Sequence, residues 1–151
     1  MILKTSKDST ALNKLFKCFL LFITGLVIVL LCSLFHQLPL PAKGEYFYSN
    51  FLRTNYTLLA RVIFIISGFL IGYFYQLNPW YSGISLFLIF PITSVIEALI
   101  YSGSHNLIPF EFAFHLLMAI PTVISVFLGR LLFRQVAKRR AKKIKSLQIE
   151  S

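Results

Sequence analysis

Ionisable side chains stand inside stretches of sequence that are otherwise apolar, among them Arg61, Glu97, Glu111 and His115. A charged group costs about 2.5–3.5 kcal/mol at the centre of a bilayer on insertion scales, so each needs a partner, a route to water or a function. A carboxylate facing a guanidinium can form a bidentate, mutually neutralising pair, which is the first chemistry that Arg61 and Glu97 suggest. Glu111 and His115 stand at i and i+4, on one face of a helix, where a carboxylate and an imidazole can share a proton or a cation. His105 and Asn106 add an imidazole and a carboxamide in the short segment between Glu97 and Glu111. The expected candidate site is a polar cluster of Arg61, Glu97, His105, Asn106, Glu111 and His115, serving either to bind an ion or substrate or to lock helices together.

Other chemistries find less support. Carboxylates and imidazoles suit zinc or iron, yet Glu111-x-x-x-His115 is neither the H-E-x-x-H of zinc proteases nor the Glu-x-x-His of di-iron bundles, so no metal and no cofactor is expected. No Gly-rich phosphate loop or activated nucleophile is visible, and no residue is assigned a catalytic role. Cys18 and Cys32 lie fourteen residues apart on one expected helix, too far to pair, and read as apolar filling.

The elements that must position these groups are four long apolar stretches, at residues 18–35, 56–75, 80–101 and 109–132. Each approaches the roughly 20 residues with which a helix crosses about 30 Å of hydrocarbon. With 57% hydrophobic and only 13% charged residues, the chain has no remainder that could bury a core of its own. The expected fold is all-α: one integral membrane domain over residues 1–151, a polytopic protein with four transmembrane helices in an antiparallel bundle. The longest pieces outside the spans are the loop 36–55 and a basic tail over 133–151.

Orientation follows from the positive charge. Lys4, Lys7, Lys14 and Lys17 precede the first span, and Arg134, Lys138, Arg139, Arg140, Lys142, Lys143 and Lys145 follow the last, which places both termini in the cytoplasm. A cleaved signal peptide competes for the first span, but its run is long for an h-region and Leu40-Pro41-Ala42 is a poor cleavage site, so a retained anchor is expected. The basic tail reads as a topology determinant and a helix lying on anionic headgroups, not as a nucleic-acid patch.

Punctuation refines the helices. Asn78-Pro79-Trp80 reads as an N-cap, a first-turn proline and an interfacial anchor, and Pro109 with Glu111 opens the fourth span in the same way. Pro91 and Pro121 fall near the middles of the third and fourth spans, where each should kink its helix. Gly68 and Gly72 form a GxxxG pair, which permits close helix packing within the monomer or across a homodimer. By depth, Arg61 lies roughly 7.5 Å and Glu97 roughly 6 Å inside the same face of the membrane, counted at 1.5 Å per residue.

Asn78-Pro79-Trp80, Phe90-Pro91, Glu97 and the run from Ser104 to Phe112 give the second half of the chain a pattern that resembles small, uncharacterised bacterial integral membrane proteins of about four spans. The resemblance implies a multi-pass protein of the bacterial cytoplasmic membrane and adds no mechanism. The function expected first is a structural or accessory interaction role, with the bilayer and a membrane-protein partner or second copy as partners. A small proton- or cation-coupled transporter or channel using the Glu/Arg/His cluster is the alternative, and a lipid-headgroup enzyme is third.

Overall fold

The third apolar stretch shows how local sequence sets these helices. Asn78 accepts a hydrogen bond from the Trp80 amide at 3.0 Å and Pro79 takes the first helical position, so α4 (Pro79–Phe87) begins there. It stops at Leu88, three residues before Pro91. A proline has no amide hydrogen, and its ring collides with the carbonyl four residues back, here that of Phe87. The Leu88 amide instead donates to the Ser85 carbonyl at 3.3 Å, a tighter turn, and α5 (Ile89–Ile100) leaves at an angle of 49°. The break is thus displaced from Pro91 toward the N-terminus. Pro121, in contrast, lies inside a helix that continues without interruption.

The computed structural model describes residues 5–44, 46–75, 77–101 and 108–149, with side chains for 12–44, 46–75, 77–101 and 109–142. The remaining elements are α1 (Thr5–His36), α2 (Phe47–Asn55), α3 (Leu58–Tyr75) and α6 (Ile108–Ile149), and no strand occurs among the described residues. Leu12–His36, Leu58–Tyr75 and Pro109–Lys142 are each long and apolar enough to cross a membrane, and α4 with α5 makes a fourth if the bent pair is one span. The protein is therefore an all-helical membrane protein with three or four candidate spans.

Three boundaries differ from the sequence expectation. The first helix starts at Thr5, so Lys7, Lys14 and Lys17 lie on it and not before it. The stretch expected to be the loop 36–55 contains α2, in which Phe47, Phe51 and Leu52 recur at helical spacing. The last helix runs 42 residues to Ile149, so the basic tail is a direct continuation of the last apolar segment. Arg134, Lys138, Arg139, Arg140 and Lys142 are exposed along it, whereas the side chains of Lys143 and Lys145 lie outside the described residues.

Close crossings hold the helices together. Gly68 faces Ser125 and Thr122, Gly72 faces the backbone of Val126, and Gly129 faces the Phe69 carbonyl, so α3 and α6 meet almost backbone to backbone within one chain. Gly83 of α4 likewise lies on Val123 of α6, and Gly25 of α1 lies on the Leu86 carbonyl of α4. In lipid, where burying apolar surface gives little drive, such approach supplies the dispersion contacts that join helices. At the break, Phe87 and Phe90 stack at 4.3 Å between ring centroids, and Tyr56 and Phe64 close around them at 5.3–6.3 Å. Phe64, Phe87 and Phe90 are almost fully buried.

Any side chain added at Gly72 must displace the Val126 backbone. Gly72→Leu is expected to cost about 1–3 kcal/mol in thermal unfolding in detergent. Phe74→Leu, on the exposed face of the same helix, should change stability by less than about 0.5 kcal/mol.

Candidate functional site

The buried carboxylate in the last turn of α5 is met by α2. This short helix is preceded by Tyr46, whose φ of 64° and ψ of 17° place it in the left-handed region, and no N-cap side-chain hydrogen bond forms there. An ordinary N-cap residue has β-region geometry and offers its own oxygen to the amides two or three residues on. Glu97, from the last turn of α5, does so instead. Its Oε1 accepts from the Tyr48 amide and its Oε2 from the Ser49 amide, the latter at 3.2 Å. The side chain is 0% exposed. Two charge-assisted hydrogen bonds and the positive end of the α2 dipole offset part of the cost of burying this carboxylate.

Arg61 and Glu97 therefore have different partners. Arg61 is exposed on the first turn of α3, with its guanidinium 5.4 Å from the centroid of the Tyr56 ring. That cation–π contact joins it to the aromatic cluster rather than to the carboxylate.

Glu111 and His115 form a separate group, one turn apart on α6. His115 is buried, 6.0 Å from Phe90 between ring centroids, and lies within electrostatic reach of Glu111 and of Arg53 on α2. Arg53 donates to Asn50 Oδ1 at 2.5 Å. Glu111 Oε2 and His115 Nδ1 are buried without a hydrogen-bond partner, as are Asn55 Oδ1 and Thr122 Oγ1. Asn55 closes α2, where its Nδ2 donates to the Phe51 carbonyl at 2.9 Å. No three His, Cys, Asp or Glu side chains come together to hold a metal among the described residues. His105 and Asn106 lie outside the described residues.

Of the six residues expected in one cluster, Glu111 and His115 are brought together, while Glu97 and Arg61 each join other groups. Tyr48, Ser49, Asn50, Arg53 and Asn55 take part without having been expected to, because they lie in what reads as a loop. The signal that could have found them is the Phe47, Phe51, Leu52 spacing between Gly44 and Asn55. His36, also outside the cluster, lies 3.2 Å from the Cys32 carbonyl through Nδ1. No family model, curated protein or solved structure matches this chain.

Glu97→Ala leaves two amides of α2 without their acceptor, and about 1–3 kcal/mol of stability should be lost, with faster hydrogen exchange at Tyr48 and Ser49. Glu97→Gln retains one acceptor oxygen and should lose less. In a double-mutant cycle with Arg61→Ala the effects should add within about 0.5 kcal/mol, and a coupling well above that would place Arg61 on Glu97.

Proposed function

We propose that this chain is a small multi-pass membrane protein with a structural or accessory role, binding a membrane-protein partner or a second copy of itself. In this reading α4 and α5 form one bent span, so four spans run antiparallel in a bundle of the bacterial cytoplasmic membrane and both termini are cytoplasmic. The basic side chains of α6 then contact anionic headgroups. Lys14 and Lys17 at one end of the chain and Arg130 to Lys142 at the other support a common side for the termini.

The observation that carries the functional reading is the use of Glu97. A carboxylate that serves a transport cycle has to release and retake its proton or cation, whereas Glu97 is enclosed and fastens α2 through two backbone amides. Protonating it would weaken the cap that fixes α2. The fastened helix presents Tyr48, Arg53 and Thr54 outward, a defined surface suited to recognition. The three unbroken spans also bury only 28–33% of their most apolar windows within the chain, leaving most of their surface for lipid or for a partner.

A second reading, proton or cation binding, is supported by one observation: Glu111 Oε2 and His115 Nδ1 are buried near each other without hydrogen-bond partners. Flux assays on the purified full-length chain in liposomes separate the two. An accessory protein should pass protons or monovalent cations no faster than empty liposomes do, and a photo-crosslinker at Tyr48 or Thr54 should give one discrete adduct in native membranes. Coupled flux that is lost in Glu111→Gln would overturn the accessory reading in favour of transport.

A further inference from the structure

Arg130 is the one arginine of α6 that falls within the stretch 109–132 expected to span the membrane, and its setting differs from that of the tail. The face of α6 that carries Ile120, Ile124 and Phe127 at helical spacing continues to Arg130 and Arg134. Opposite this face stand Pro79 and Trp80, at the N-terminal end of α4. Together they line a groove of about 460 Å³, within the roughly 300–1,000 Å³ usual for ligand sites. Its walls are apolar except at the end where the two arginines lie. Ile120, Ile124 and Phe127 are 42–53% exposed and Trp80 is 63% exposed, so the groove opens toward the surrounding hydrocarbon.

We propose that this groove binds one anionic phospholipid, from the leaflet on the side of the basic end of α6. An acyl chain lies along Ile120, Ile124 and Phe127, and the phosphate sits between Arg130 and Arg134. The dimensions agree: fourteen residues separate Ile120 from Arg134, roughly 21 Å of helix at 1.5 Å per residue, which reaches from the middle of a bilayer to its headgroups. The charge agrees as well. Of the carboxylates whose side chains are described, Glu97 is bound to α2 and Glu111 lies nineteen residues before Arg130 on the same helix, roughly 28 Å away, so neither reaches the arginines. Two guanidinium forks one turn apart match the oxygens of a phosphate group, and the N-terminal end of α4 adds partial positive charge. Trp80 stands where indoles settle, at the junction of hydrocarbon and headgroup.

An isolated phosphate ion would leave the apolar wall unused. The site also differs from general attraction by the tail, because it requires Arg130 and the α4–α6 groove and not Lys138 to Lys142.

Trp80 is the single tryptophan of the chain and lines the groove, so its fluorescence reports occupancy directly. The full-length protein in phosphatidylcholine vesicles would be titrated with phosphatidylglycerol or with phosphatidylcholine, each brominated on its acyl chains. Phosphatidylglycerol should quench Trp80 at mole fractions on the order of tenfold lower than phosphatidylcholine, as two arginines near a headgroup imply. Arg130→Gln with Arg134→Gln should abolish that preference while retaining the same helix content by circular dichroism. Arg139→Gln with Arg140→Gln, which removes the same charge outside the groove, should leave it intact. Equal quenching by the two lipids, or an equal loss of preference in the tail variant, would overturn the proposal.

Discussion

Burying a carboxylate inside a membrane helix is costly, and the end of the protein at which α5 finishes is arranged around the means by which Glu97 meets that cost. Its oxygens lie on the Tyr48 and Ser49 amides of α2, so the charge is held by backbone donors and by a helix dipole rather than by a mobile cation. The dependence is mutual. A nine-residue helix is too short to be stable alone in water, and α2 begins after a left-handed Tyr46 without an N-cap side chain of its own. Glu97 supplies that cap from another element. Fixing α2 in turn places Asn55 at the turn into α3.

A second constraint comes from close packing in a medium where burial of apolar surface contributes little. Glycines at 25, 68, 72, 83 and 129 stand where one helix meets the backbone or β-branched side chain of the next, so the crossings are made by backbone proximity. Pro91 then forces α4 and α5 apart by 49°, and the rings on either side of the break, Phe87 and Phe90, pack with Tyr56 and Phe64. The break is filled by aromatic packing and leads toward His115 through Phe90. The kink and the polar groups near Glu111 are thus parts of one packed region.

The two ends of the protein carry opposite chemistry. Around α2 lie carboxylates, an imidazole and carboxamides, three of them with buried atoms that have no partner. At the far end of α6 lie arginines and lysines, the first of which border an apolar groove beside Trp80. A chain of net charge +10 concentrates its basic side chains at one end of its longest helix, where the proposed anionic phospholipid would meet them. Recognition of a partner is reserved for the opposite end under the accessory reading, which keeps the two kinds of contact spatially separate.

The membrane class, the approximate positions of the apolar helices and the start of α4 were legible in the sequence because they depend on local properties. Hydropathy over some twenty residues and the Asn78-Pro79 cap act on the chain wherever it goes. The displacement of the break to Leu88 was legible in principle, since a proline acts on the carbonyl four residues before it. What holds Glu97 was not legible, because its donors are backbone amides forty-eight and forty-nine residues earlier, and amides carry no side-chain signature. Arg61 was equally ambiguous: on one face of α3 it could meet a carboxylate or a ring, and the fold turned it to Tyr56. Sequence alone determined that this is an apolar, helical, basic-ended membrane protein, since composition and periodicity are properties of segments. Only the tertiary structure decided which polar group neutralises which, because that depends on distances between helices that no spacing along one helix contains.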